Sequence, residues 1–249
     1  MKKLIGILLI VMVVTLTGCK EKTETITVLT SSGYEPYEMV DTDGNLTGFD
    51  IELMEALALE AGITIEWSDV DFNGIIASLT TGKAEIAIAG ISPTDERKES
   101  VDFSDVYFNK DGGLVNYMLF DTDSPITSLD DLSGLVIGAQ LGTIQGELLS
   151  SISEQYGFTV DLRNTNTQIV EEIKAGRIDG LVIEKVAAES ILELNENLGF
   201  FIVVSSLDSL SGNAIAFAKD SEYVAIFNEA LQTLKDNGTL DELITKWFN

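Results

Sequence analysis

Histidine is absent from the 249 residues, cysteine occurs once and proline three times. Without histidine, Ser-His and Cys-His nucleophilic pairs cannot be assembled, and the commonest transition-metal ligand is missing. The single cysteine, Cys19, rules out an intramolecular disulfide. Asp and Glu alone could hold calcium, but no loop has that ligand spacing, so neither a metal nor a cofactor is expected. Basic residues are scarce, 15 Lys and Arg against 41 Asp and Glu, for a net charge of −26. A surface of that sign repels nucleic acid and anionic membrane faces, which argues against a DNA or RNA role. Long apolar runs are also lacking; Leu4 to Val14 is too short to span a bilayer comfortably.

That run has a different meaning. Lys2 and Lys3 precede it, and Leu16-Thr17-Gly18-Cys19 follows, the pattern of a secretory signal over residues 1–18. Cys19 stands where a lipobox places the cysteine that becomes the lipidated first residue; the alternative is an ordinary signal peptide with an incidental cysteine. Residues 19–25 then read as the lipidated cysteine and a polar tether. The expected location is extracytoplasmic, anchored by lipid to the outer face of the membrane. Residues 1–18 contain two lysines and no acid, so the remainder carries 13 basic and 41 acidic residues, or −28. A chain of that length can bury a core large enough for one large domain or two lobes.

Strand-like and helix-like segments alternate along the rest. Ile26–Thr30, Ile63–Trp67 and Ala84–Ala89 read as strands, with helices over Phe49–Ala61 and Asn73–Thr81 ending at Gly62 and Gly82. The order recurs with strands Leu135–Ala139, Phe158–Leu162 and Ile178–Ile183 and helices Ile144–Gln155, Gln168–Ala175 and Val186–Asn195. Glu222–Asp236 is amphipathic, and Thr239-Leu240-Asp241-Glu242 has the form of a capping box opening a last helix. The fold class is α/β, with mainly parallel sheets flanked by helices. Within it, Gly82-Lys83-Ala84-Glu85-Ile86-Ala87-Ile88-Ala89-Gly90 aligns without gaps on Gly176-Arg177-Ile178-Asp179-Gly180-Leu181-Val182-Ile183-Glu184. Two related βαβ series argue for two lobes, and ligands of open α/β sheets sit beyond the carboxyl ends of the strands. Gly90 and Glu184 are at those ends.

The residues near these ends have complementary chemistry. Arg97 can hold a carboxylate with its planar fork, and Glu184 can hold an ammonium. Each charge needs a partner once water leaves a closed cleft, and a zwitterionic amino acid supplies both. Thr143 and Ile144 open a helix whose amides form a second carboxylate site. Ser92 offers a hydroxyl, Gly90 a carbonyl, and Tyr34 and Phe72 apolar walls. Singly, each has an ordinary alternative: Glu184 a surface acid, Tyr34 and Phe72 core aromatics, Thr143 a helix cap. Their combination favours a binding cleft.

Gly90-Ile91-Ser92-Pro93-Thr94-Asp95-Glu96-Arg97-Lys98 with Val101-Asp102-Phe103-Ser104 resembles the signature of bacterial extracellular solute-binding proteins of family 3, the amino-acid receptors of ABC importers. Tyr34–Glu38, Gly48–Asp50, Asp71–Ile76, Leu129–Gly134, Gln140–Gln145, Gly176–Asp179 and Asp236–Leu240 with Lys246–Phe248 resemble its other motifs, so the likeness covers the mature chain. It implies a type II periplasmic-binding-protein fold, a two-lobed Venus flytrap closing on one free amino acid. In that family the arginine matching Arg97 clamps the α-carboxylate and an acid matching Glu184 takes the α-amino group. The position matching Tyr34 or Phe72 commonly stacks on the side chain. The implied first lobe is 26–108 with 213–249, the second 111–208, and the two crossings near 107–111 and 208–213 form the hinge. Three departures are visible: Glu184 where aspartate is usual, Ser31 where several members carry aspartate, and Ile144 where a hydroxyl residue is frequent.

The expected ligand is cationic, arginine or lysine. The Gln140–Gln145 run resembles basic-amino-acid receptors, and Glu35, Glu38 and Gln140 are expected near the pocket. Glutamine or another polar amino acid is the alternative. A dehydratase acting on cyclohexadienyl acids, on the same fold, is the enzymatic rival. Arg97 and Glu184 together suit a receptor rather than an enzyme. The expected partners are the free amino acid, an ABC permease with its ATPase, and the membrane through lipid on Cys19, the protein being a monomer.

Overall fold

The computed structural model describes residues 25–109, 114–203 and 212–248. The signal sequence, Cys19 and residues 20–24 of the tether lie outside the described residues, as do 110–113 and 204–211 of the two crossings. In chain order the first part comprises β1 (Thr25–Thr30), β2 (Met39–Val40), β3 (Leu46–Thr47), α1 (Phe49–Ala61) and β4 (Thr64–Asp69), then α2 (Ile75–Thr80), β5 (Ile86–Ala87), α3 (Asp95–Ser100) and β6 (Asp102–Phe103). The middle holds β7 (Asn116–Asp121), β8 (Val136–Gln140), α4 (Ile144–Tyr156), β9 (Thr159–Arg163), α5 (Asn166–Lys174), β10 (Gly180–Glu184), α6 (Lys185–Leu194) and β11 (Leu198–Val203). The chain closes with β12 (Ala216–Phe217), α7 (Tyr223–Asp236) and α8 (Thr239–Phe248).

Two five-stranded sheets result, ordered β4-β1-β5-β12-β6 and β9-β8-β10-β7-β11. In each, the first three strands are parallel and the last two run antiparallel to their neighbours. The sheets are therefore mixed. The parallel part is the βαβ pattern legible in the sequence; the antiparallel strands β6, β7, β11 and β12 are not among the strands it predicts. The two sheets have the same arrangement, and β5 and β10 occupy the same third place in it. The repeat Gly82–Gly90 on Gly176–Glu184 thus corresponds to two equivalent strands and the turns that feed them.

Helices cover both faces of both sheets, so the strands are apolar on both sides. In β1, Val28 packs with Phe49, Leu53 and Leu57 of α1 and with Phe227 and Leu231 of α7. Its neighbour Leu29 points the other way, into a layer with Ile75 and Leu79 of α2. In β10, Leu181 joins Ile169 and Ile173 of α5, while Val182 joins Leu149 of α4. This is the period of two expected of a strand buried on both faces. Helix α1 ends at Gly62, whose left-handed backbone directs its amide to Ala58 and Leu59. At α8 the first-turn amide of Thr239 is taken by Asn237 Oδ1 at 3.0 Å, and Thr239 lies inside the helix. The stop signal Asn237-Gly238 therefore serves as the start of α8 as well.

The chain passes between the sheets twice, and the passages touch. Phe108 and Asn213 form an antiparallel bridge, with Tyr107 N–H on Asn213 O at 3.0 Å and Asn213 N–H on Phe108 O at 2.9 Å. Leu53 is fully buried between α1 and the first sheet. Leu53→Ala is expected to lower unfolding free energy in urea by about 2–5 kcal/mol; a loss under about 1 kcal/mol would mean that this layer is not the core of the first sheet.

Candidate functional site

Ser31 follows β1, Gly90 follows β5, Gln140 ends β8 and Glu184 ends β10, so the carboxyl ends of four strands from two sheets converge. Between them lies a narrow cavity. Tyr34, Phe72, Gly90, Ser92 and Arg97 line it from the first sheet, and Gln140, Thr143, Ile144 and Glu184 from the second. All nine residues expected at the site are on this one surface, together with Ser31 and Glu38. Glu35 is not among them. It lines a separate crevice with Thr167 and Lys174: residues 35–37 form the turn between the bridged pair Tyr34 and Glu38, where strand alternation does not hold.

Arg97 occupies the basic part. Thr94 caps α3 by accepting the Arg97 amide at 3.2 Å. The guanidinium donates to Ser92 O at 3.0 Å within its own half and to Gly142 O at 3.1 Å in the other. It sits 5.5 Å from the centre of the Phe72 ring, a cation–π distance. Phe72 is thus a platform for the charge as well as an apolar wall. Burial lowers the pKa of Arg97, with Glu147 and Glu96 opposing, yet a guanidinium remains charged.

The acidic part holds two carboxyls. Glu184 Oε2 accepts from Tyr34 Oη at 3.0 Å and Oε1 from Tyr37 Oη at 3.3 Å, both phenols reaching across from the first half. The two rings stack, with centroids 5.2 Å apart. Burial pushes Glu184 up to about 7, although the two phenols pull it down. Burial and the Glu184 charge raise both phenols, which stay protonated as donors. Glu38 has no exposed surface, and its carboxyl meets no N–H donor but faces the buried carboxyl of Asp50. Burial, then the nearby Asp50, hold its carboxyl well above the ordinary range.

The remaining side chains are partly spent on holding the site together. Thr143 caps α4: its hydroxyl accepts the Gly146 amide at 3.2 Å and donates to Gln140 O at 2.7 Å. That leaves the first turn of α4, where Ile144 and Gln145 line the cavity, as its contribution of N–H groups. Gln140 donates to Asn164 O at 2.9 Å and accepts from Asn166 Nδ2 at 3.2 Å. Gly90 O, expected to be open, accepts from Asn213 Nδ2 at 2.6 Å. Gly90 must be glycine: its φ is +56°, and a Cβ there would lie 2.8 Å from Tyr34 Cε1.

Tyr37, Gln145 and Asn166 were not anticipated. Tyr37 and Gln145 sit inside quoted motifs, but only the strand order brings the first turn of α5, with Asn166, beside the end of β8. The two halves are in contact around the cavity. Besides Arg97 on Gly142, Asn164 Nδ2 meets Asp71 Oδ2 at 2.9 Å, and Gly142 abuts Asn73. Among the described residues no cluster of three ligating side chains could hold a metal, and no helix is long and apolar enough to cross a membrane.

Residues 26–249 match the description "Bacterial extracellular solute-binding proteins, family 3". The arginine-binding extracellular protein ArtP of Bacillus subtilis is 43% identical over 220 residues, covering 88% of this chain and 84% of that protein. An ancestral arginine-binding protein bound to arginine superposes with a TM-score of 0.82 at 32% identity, over 90% of this chain and 98% of the other. An ancestral arginine-binding protein bound to glutamine gives 0.81 at 34% identity, over 90% and 97%.

The raised carboxyl of Glu184 has a consequence for stability. Between pH 4.5 and about 7 the folded state binds more protons here than the unfolded state, so stability falls as pH climbs through that window. Above it, the cost is on the order of 3 kcal/mol. In urea unfolding without added solutes, Glu184→Gln should gain on the wild type by roughly 2–3 kcal/mol between pH 5 and pH 8. A pH-independent difference would exclude a buried, shifted carboxyl at this position.

Proposed function

This chain belongs to the bacterial extracellular solute-binding proteins, family 3, and on that premise we propose that it captures a free cationic L-amino acid, arginine or lysine, for an ABC importer. One observation carries the choice of ligand: the cavity is lined by one cation, Arg97, and two acids, Glu184 and Glu38. A zwitterion pairs Arg97 through its carboxylate and Glu184 through its ammonium. Glu38 is then left buried beside the ligand's side chain, facing the Asp50 carboxyl and no cation. A carboxylate taken out of water needs a cation or a proton, and a guanidinium or second ammonium meets that need. The arginine-binding relatives support the same choice.

The mechanism follows from where the charges sit. The carboxylate meets N–H groups of Arg97 and the first-turn amides of α4, one from each half. The ammonium meets Glu184, which the Tyr34 and Tyr37 hydroxyls orient, with Ser92 as a further partner. The ligand's stem rests against Phe72 and Tyr34. Because each end of the ligand is held by groups from both halves, the full set of contacts exists only when the halves meet, and ligand binding favours closure by that difference. The paired passages at 107–109 and 212–213 act as the hinge between lobes 26–108 with 213–249 and 111–208.

The importer's permease, with its ATPase, reads the closed form, and lipid on Cys19 keeps the monomeric receptor at the outer face of the membrane. The protein acts as a receptor and not as an enzyme: Glu184 held by two phenols is an amine clamp rather than a free general acid. Glutamine is the second reading. A protonated Glu38 would donate to a side-chain amide, and an ancestral arginine-binding protein has been seen with glutamine bound.

Calorimetry against the twenty amino acids, ornithine and citrulline separates these readings. Arginine or lysine should bind best, citrulline and glutamine more weakly; a preference for glutamine over arginine would overturn the cationic assignment. Glu38→Gln should weaken arginine binding by about 2–4 kcal/mol while changing glutamine binding far less. Closure has its own test. A Cβ on Gly142 would lie 2.8 Å from Asn73 Cα, whereas one on Gly176 meets nothing within 4 Å, and both glycines have positive φ. Gly142→Ala and Gly176→Ala therefore share the left-handed backbone cost of about 1 kcal/mol, but only the first wedges the cleft. Gly142→Ala should bind arginine more than about tenfold weaker, and Gly176→Ala like the wild type; equal binding by the two would refute a cleft that closes on Asn73.

A further inference from the structure

Gly90 lies on the cavity wall, and its backbone is held by the returning passage directly and by the outgoing one through Asp50. Its N–H donates to Asp50 Oδ2 at 2.7 Å, and the same oxygen accepts Tyr107 Oη at 2.8 Å. Its carbonyl accepts Asn213 Nδ2 at 2.6 Å. One residue on, Ile91 O accepts the Ala214 amide at 2.9 Å. Tyr107 is on the outgoing passage and Asn213 on the returning one, and their backbones are bonded to each other. Asp50, Tyr107 and Asn213 are all buried, and none of the three lines the cavity.

These side chains are costly to bury. Asp50 lies buried against the carboxyl of Glu38, and burial pushes its own carboxyl up to about 6. An apolar residue would fill the same volume without that cost. What the polar set provides is a rigid link between Gly90 and each passage. A change of backbone angle at Phe108 or Asn213 displaces the Tyr107 hydroxyl that holds the Asp50 carboxyl accepting the Gly90 N–H, or the Asn213 amide that donates to the Gly90 carbonyl, and hence the Gly90–Ser92 wall. That wall carries Ser92, whose carbonyl holds Arg97.

We infer that Asp50, Tyr107 and Asn213 are positioning residues that couple hinge angle to the Gly90–Ser92 wall, so that this wall adopts its ligand-binding geometry only at the closed angle. The inference rests on the receptor reading above and adds to it the residues through which the hinge and the cavity communicate. None touches the ligand.

Two variants test it. Tyr107→Phe keeps the ring and removes one hydroxyl; Asn213→Ala removes the carbonyl's donor. Both would be compared with the wild type for thermal unfolding without ligand, L-arginine affinity by calorimetry, and compaction by small-angle X-ray scattering at saturating arginine. The expected result is binding weaker by about 3- to 10-fold for Tyr107→Phe and about 10- to 100-fold for Asn213→Ala, with incomplete compaction in both. The double variant should lose less than the product of the two, since both act on the backbone of one residue, Gly90. A merely structural role would lower the melting temperature and leave affinity within about twofold of wild type with full compaction, and that result would overturn the inference. Should the wild type respond to L-glutamine and not to arginine, the ligand assignment falls, and the same variants measured with glutamine still decide the coupling.

Discussion

Charge removed from water governs this molecule. Arg97 and Glu184 come from different halves and face one cavity, Glu184 buried and Arg97 half-buried. Arg97 makes do with two carbonyl oxygens, and Glu184 with two phenols. Neutral partners orient a charge without cancelling it. A zwitterion cancels both, and because the partners sit on separate halves, that gain is available only across a closed cleft. Tight packing of Gly142 on Asn73 follows from the same requirement, since the halves must approach closely enough to exclude water.

The architecture supplies the convergence. Two sheets of identical strand arrangement present the ends of β5 and β10, their third strands, to each other. One end carries a glycine whose backbone passes under Tyr34, the other an acid. The antiparallel strands β12 and β7 then fix how the chain enters and leaves each sheet, and so bring the two passages side by side.

Much of this was legible in residue patterns. Phe49–Ala61 is bounded by local chemistry, an apolar stripe ended by a left-handed glycine, and the helix has those limits. Of the nine expected residues, Gln140, Thr143, Ile144 and Glu184 stand at a strand end or helix start, where the chain's own period says which groups face outward, and all nine line one cavity. Glu35 was misjudged because its place depends on the turn from Tyr34 to Glu38, which alternation alone does not settle. The open carbonyl expected of Gly90 is instead bonded to Asn213, a residue 123 positions away. No local pattern could announce that bond.

The sequence by itself determined the α/β class, the acidic surface, the absence of histidine chemistry, and which residue types stand at the strand ends. These depend on composition and on periods of two and 3.6, which are local properties. Tertiary structure decided that the sheets are mixed, that Tyr37 reaches Glu184, that Glu38 is buried facing Asp50, and that both passages hold Gly90, the outgoing one through Asp50. Each of these depends on which distant segments become neighbours, and burial, the quantity that sets the cost of a charge, exists only once they have.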